Sequence, residues 1–193
     1  MSLKLNSLRK FLISFLLLLF CFLNFACAET FYELAAKTAK GKEISFTDYK
    51  GYVILVTNIA TKCGSVHQLK DLEKLYLKYQ DQKFVILAFP SIDHSPLEKS
   101  DNAKVQQFCS IKYGVSFPVF QYSTVMGTGA HPVFKYLTKK CQEKNAGEVT
   151  SNFEKFLIDR NGKVRDRFGP FVGPLSLKLN ERLEVLIREG ESS

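Results

Sequence analysis

The sequence has no tryptophan, no Cys-x-x-Cys pair and no internal repeat, and beyond its first 28 residues it has no low-complexity tract. Without Cys-x-x-Cys it lacks the dithiol motif of ordinary disulfide oxidoreductases. There is also no block of basic residues, no basic stripe interleaved with aromatics and no nucleic-acid motif. The net charge of +8 is spread through alternating Lys/Arg and Asp/Glu, which argues against a nucleic-acid partner. Such a surface is an ordinary solvated one, with at most a mild attraction to anionic membranes or acidic substrates. Of the five cysteines, Cys21 and Cys27 fall within the first 28 residues, and the remaining Cys63, Cys109 and Cys141 are too few for a disulfide-stapled framework. Being odd in number, they allow one bridge and leave a thiol over.

What is present describes a packed globule. Hydrophobic residues make up 46% and aromatics 13%, too many for a disordered chain. At 193 residues the length suits one domain with one sizeable core. Residues 1–28 stand apart from it. Lys4, Arg9 and Lys10 precede 18 uncharged residues, 11–28, ending in Ala26-Cys27-Ala28, a small-x-small cleavage pattern. Residues 1–28 therefore read as a signal peptide and 29–193 as the domain, with a secreted or secretory-pathway location: extracellular, endoplasmic reticulum or periplasm. An uncleaved membrane anchor is the alternative, because 18 residues just reach across a bilayer. A lipoprotein signal at Cys27 is a third, poorly matched by Asn24-Phe25-Ala26. Cleavage after Ala28 removes three positive charges and no acid, leaving +5 on 165 residues.

Periodicity gives the element order. YVILVTN (52–58) and FVILAF (84–89) are short apolar, β-branched runs of the kind found in buried strands. Between them Leu69, Leu72, Leu75 and Tyr79 recur at helical spacing. Residues 90–100 form a polar loop, and Ser100 or Asp101 caps a helix carrying Val105, Phe108 and Cys109. SFPVF (116–120) suits an edge strand, and Pro132 opens a helix with Val133, Phe134, Leu137 and Cys141. Asn161-Gly162 between 153–159 and 163–168 predicts a hairpin. A last helix runs from about 174 to 188. The order implies an α/β layered fold whose sheet is of mixed direction.

Cys63 falls between a buried strand and an amphipathic helix, where active sites gather in open α/β sheets. N–H groups at a helix start favour a thiolate, Lys62 adds a positive neighbour, and Gly64 leaves room for a substrate oxygen. A thiolate so placed attacks a peroxide O–O bond and becomes a sulfenic acid, which a second thiol condenses to a disulfide. From position alone a small buried cysteine without chemistry is an equal reading.

Four ordered blocks weigh on that choice. Asn58-Ile59-Ala60-Thr61-Lys62-Cys63-Gly64 resembles the N-V-A-S-K-C-G segment around the peroxidatic residue of glutathione peroxidases. Phe108-Cys109, followed by Tyr113-Gly114-Val115-Ser116-Phe117-Pro118, is similar to their F-C-x-x-x-Y-G-V-T-F-P stretch. GTGAHPVFKYL (127–137) and NFEKFLIDRNG (152–162) match further blocks. The resemblance runs from about Phe31 to the C-terminal helix and implies a thioredoxin-like fold, a mixed central sheet flanked by helices.

It also implies a thiol-dependent peroxidase acting on hydrogen peroxide and organic or lipid hydroperoxides. Glutathione or a thioredoxin-like protein would be the reductant, with no further cofactor, no metal and no nucleic acid. The family's tetrad joins Cys or selenocysteine to Gln, Trp and Asn. Cys63 and Asn152 match it; Leu97 stands at the Gln position and Ser151 at the Trp position. Leucine cannot donate a hydrogen bond. Losing both donors, each worth roughly 1.5–3 kcal/mol, slows the chemical step about a hundredfold or more. His94, His67 and Asp93 are nearby substitutes, and the simpler reading of each is an ordinary surface polar residue.

Cys109 matches the resolving position of thioredoxin-dependent members; as a packed helix cysteine it would have no such role. Cys141 reads as buried and inert. The 14 residues from 138 to 151 replace a long insertion of tetrameric members, so the chain resembles the monomeric phospholipid-hydroperoxide type and small secretory-pathway members. The competing functions are a weakened member acting as a redox sensor or binding protein, and thiol–disulfide exchange with protein clients.

Overall fold

The computed structural model describes residues 30–95, 101–139 and 146–189. The 1–28 segment, Leu97 and Cys141 lie outside the described residues.

The two apolar runs are strands β3 (Val53–Ile59) and β4 (Phe84–Pro90), parallel and in register from Val53–Phe84 to Ile59–Pro90. Both are buried on both faces, which is why neither shows a polar alternation. On the other side of β3 lies β5 (Lys155–Ile158), antiparallel, and beyond it β6 (Val164–Phe168), so the sheet order is β4-β3-β5-β6. A separate short hairpin, β1 (Ala35–Lys37) with β2 (Glu43–Ser45), precedes them.

Strand geometry divides the core. Val53, Leu55 and Leu157 face α1 (Gln68–Tyr79) and α4 (Leu177–Glu189), packing on Leu69, Leu72, Leu75, Leu179 and Leu183. Ile54, Val56, Phe156 and Ile158 face the opposite way, onto Phe31, Phe46, Phe120 and Phe134, the last from α3 (Pro132–Leu137). Phe89 and Phe120 stack there with centroids 4.5 Å apart. Pro132 occupies the first turn of α3 as expected, where its missing N–H costs nothing. Asp101 caps α2 (Asn102–Gln107) by accepting from Lys104 N at 3.0 Å, and the helix widens into a π turn, Phe108–Lys112.

Three expected boundaries differ. Residues 116–120 form no strand: Val119 and Phe120 each make one isolated bridge, to Ala88 and Thr38. Pro118 has no N–H to give, and the segment instead spans the gap between β4 and the β1–β2 hairpin, through Ala88 N to Pro118 O and Gln121 N to Lys37 O. The fifth strand begins at Lys155, not 153, because Phe153 has φ +63°, a left-handed conformation no strand contains. The final helix begins at Leu177, not 174, because residues 173–176 close a separate turn, Ser176 N donating to Gly173 O. The Asn-Gly hairpin forms as predicted: Gly162 takes φ +80°, and Asp159 Oδ1 accepts from both Asn161 N and Lys163 N at 3.0 Å.

Candidate active site

β3 delivers Cys63. The chain leaves the strand at Ile59, and Cys63, extended at φ −120° and ψ 144°, caps a 3₁₀ turn, Gly64–His67, that runs directly into α1. Val66 N donates to Cys63 O at 3.0 Å and fixes that turn. Cys63 is half-buried, packed on its inner side against the α1 core. A Cβ placed on Gly64 would meet nothing within 4 Å, so there is open space beside the sulfur-bearing residue, as the sequence suggested.

Three loops converge around this turn. Ser91 N donates to Ile59 O at 2.9 Å, and Ser95 Oγ to Lys62 O at 3.1 Å, tying the loop after β4 to the Cys63 loop. The loop before β5 is gripped by Asn58, buried near the end of β3. Its Nδ2 donates to Ser151 O at 2.9 Å, its Oδ1 accepts from Glu154 N at 3.1 Å, and its own carbonyl accepts from Phe153 N at 2.8 Å. The left-handed φ of Phe153 bends the chain so that all three bonds reach one residue. Glu154 adds an inner brace: Oε1 accepts from Thr150 N and Ser151 N, and Oε2 pairs with Arg167 at 2.6 Å.

Asn152 sits in this braced loop, buried, with Nδ2 donating to His94 O at 3.0 Å. The third loop therefore touches the second, and His94 Nε2 lies 3.1 Å from Val149 O. Asn152 Oδ1 is buried without a hydrogen-bond partner. Exchanging the amide atoms would set two acceptors face to face at His94 O, so the orientation follows from the network. Ser151 stands where the Trp is expected, half-buried, its backbone committed at both ends. His94 is not a plain surface residue; it is half-buried and links two of the loops. Asp93 is likewise structural, accepting from Ser91 Oγ and Val125 N. His67 is exposed, its Nδ1 3.1 Å from Gly64 O.

Cys109 is wholly buried in the π turn, and Cys63 and Cys109 are not joined in a disulfide. Both belong to the core on the α1 side of the sheet. Among the described residues no group of His, Cys, Asp and Glu is arranged to hold a metal ion.

Two residues beneath the site gave little sign of their role. Lys155 is buried on β5, its Nζ donating to Gln68 Oε1 at 2.5 Å and to Val172 O at 2.7 Å. Burial in this neutral setting pushes its pKa down to about 8, with the Glu154 carboxylate opposing the fall. Gln68, five residues after Cys63, in turn donates to Pro170 O at 2.8 Å. The only signal in the sequence was a lysine inside an apolar strand, FEKFLI. Asn58 was visible only as the first letter of the Cys63 block.

Comparisons place this arrangement among known proteins. Residues 31–138 match the family model "Glutathione peroxidase". A Lactococcus lactis protein named glutathione peroxidase is 42% identical over 144 residues, 75% of this chain and 92% of that protein. Glutathione peroxidase-like peroxiredoxin 2 of Saccharomyces cerevisiae is 42% identical over 149 residues, 77% of this chain and 92% of its own. Among solved structures, apo Trgpx is 32% identical with a TM-score of 0.67, covering 83% of this chain and 97% of that one. A thiol:disulfide interchange protein of the thioredoxin family from Chlorobium tepidum, at 20% identity and a TM-score of 0.57, shares the thioredoxin-like fold. The fold, the placement of Cys63 and these matches lead to one conclusion: the chain belongs to the glutathione peroxidase family.

Proposed function

We propose that this chain is a thiol-dependent peroxidase in which Cys63 is the nucleophile, acting on hydrogen peroxide and organic or lipid hydroperoxides. The observation that carries the assignment is a half-exposed thiol capping the turn after β3, beside open space at Gly64, in a chain of this family. The Cys63 sulfur attacks one peroxide oxygen, an S–O bond forms and the O–O bond breaks. The departing oxygen takes a proton and leaves as water or an alcohol, and Cys63 becomes a sulfenic acid. A thiol of glutathione or of a thioredoxin-like protein then attacks that sulfur and expels water. A second thiol breaks the resulting disulfide and returns the Cys63 thiolate. Where Cys109 supplies the first of these thiols, the π turn must open. The relatives named peroxiredoxin favour a thioredoxin-like reductant.

Asn152 is the tetrad residue matched here, and in the resting structure one of its two N–H bonds is spent on His94 O. With Ser151 at the Trp position and Leu97 at the Gln position, the sulfur has fewer donors than the family pattern provides. These replacements favour a second reading, a slow member used as a redox sensor or in thiol exchange. The short 138–151 segment supports a monomer, and the 1–28 leader supports export to the secretory pathway or periplasm.

The deciding experiment is stopped-flow oxidation of the protein by hydrogen peroxide and by a lipid hydroperoxide, with Cys63→Ser as control. Oxidation far faster than that of a free thiol, lost in Cys63→Ser, supports the peroxidase. Oxidation at the free-thiol rate sinks it in favour of the second reading.

A further inference from the structure

Between β6 and α4 two similar four-residue units follow one another, Gly169-Pro170-Phe171-Val172 and Gly173-Pro174-Leu175-Ser176. Each closes a tight turn: Val172 N donates to Gly169 O at 3.1 Å, and Ser176 N to Gly173 O at 3.0 Å. Proline at the second position of each pre-sets the backbone. The third position, commonly polar or glycine in such turns, is apolar both times. Phe171 is 97% exposed, Leu175 is exposed, and Leu177 at the head of α4 is 73% exposed. One exposed apolar residue needs no explanation; three within seven residues of chain, two on successive turn tips and one at the following helix start, do.

The turns are held from below. Gln68 grips the carbonyl before Phe171 and Lys155 the carbonyl after it, and both donors are buried. The ring is therefore presented outward on a fixed backbone and does not fold back onto the domain. The charge around it is mainly positive. Residues 169–180 contain no acid, and their one charged residue, Lys178, is exposed. Of the acids on β6 and α4, Asp166 pairs with Arg182 and Glu184 with Lys78, while Glu181 is exposed three residues beyond Lys178. Lys62, His67 and Lys70 are exposed on the Cys63 turn and the first turn of α1, which Gln68 ties to this segment.

We infer that the tandem turn is a wedge for an anionic bilayer: Phe171, Leu175 and Leu177 enter the interface, and the surrounding lysines meet the headgroups. Convex apolar tips backed by more cations than acids match that interface in both polarity and charge. The docking stands independently of the chemistry at Cys63. Its consequence, that Cys63 is held beside acyl-chain hydroperoxides, rests on the peroxidase reading.

The absence of native tryptophan makes the test direct. The full chain carrying Phe171→Trp is mixed with vesicles of phosphatidylcholine with and without phosphatidylglycerol. Ile111→Trp, on an 82% exposed residue of the π turn, reports a face outside the wedge. The expected result is a blue shift of the Phe171→Trp emission on phosphatidylglycerol vesicles, with quenching by brominated acyl chains, while Ile111→Trp stays unshifted. Equal behaviour of the two chains, or no shift in either, overturns the proposal. So does Phe171→Trp emission that is already blue before lipid is added, since a protein surface then covers the tip. Hydrogen peroxide consumption, which needs no membrane, is followed in the unsubstituted protein, so failure of the peroxidase reading is told apart from failure of the wedge.

Discussion

Replacing Lys155 by methionine keeps the apolar stem and removes the ammonium, leaving Gln68 Oε1 and Val172 O without their donor. The effect should depend on pH in a way no neutral side chain reproduces. Burial lowers the folded-state pKa from 10.5 to about 8. A lowered folded pKa means that the native protein gives up this proton while the unfolded chain still holds it. Stability from this group is therefore complete only above pH 10.5 and is lost as pH falls through about 8. Between pH 7 and 9.5 the linkage amounts to about 2 kcal/mol in favour of the native protein over the Lys155→Met variant. With a urea slope of about 2 kcal/mol/M, the gap between the two midpoints should move by roughly 1 M across that interval. Burial raises the pKa of Tyr32, Tyr49, Tyr76 and Tyr79, Tyr49 to about 12; these titrate alike in both chains and cancel in the difference. Urea titrations at pH 7, 8, 9 and 9.5 measure it. A gap that stays flat, or that moves the other way, refutes the account of Lys155 as a charge held against its burial cost.

Asn58→Ala should cost about 2–4 kcal/mol in urea unfolding, since it strands Ser151 O and Glu154 N beneath the site. It should also slow Cys63 oxidation by peroxide; an Asn58→Ala variant that unfolds and oxidises like the unsubstituted protein counts against the clamp. Glu154→Gln keeps the shape but removes the buried ion pair with Arg167, and should cost about 3 kcal/mol by the same measurement. Gly162→Ala forces a side chain onto φ +80° with its Cβ 2.9 Å from the Tyr32 ring. A calorimetric Tm lower by roughly 5 °C is expected, against a smaller drop for Gly41→Ala, where the same backbone strain meets open space.

Much of the scaffold was legible because its signals are local. β3 and β4 announce themselves as β-branched apolar runs, α1 by leucines at helical spacing, and the β5–β6 hairpin by Asn-Gly. The 116–120 segment misled because alternation and burial are shared by strands and by chain that merely crosses a gap between two sheets. Cys63 could be read from its neighbours in sequence, but the residues that hold the site could not. Asn58 meets its partners 93 and 96 residues away, and Lys155 meets Gln68 across 87. Nothing in the spacing of a single chain encodes such distant pairings. The same holds for Phe171, an unremarked apolar residue until its exposure and the two ties beside it are known.

The position of β3 has a kinetic consequence. One edge of this strand is covered early, by β4 from the neighbouring stretch of chain, but the other waits for β5, with Leu55 pairing to Leu157. Until the last quarter of the polypeptide is available, this wholly buried strand is an open edge, able to recruit any other extended segment. Closure of the sheet is thus among the late events of folding, and its loop entropy is paid across a hundred residues. A chain cut before residue 150 is accordingly not a smaller domain but an aggregation-prone half-sheet, and a mutation that delays the β5–β6 hairpin lengthens the time spent in that state.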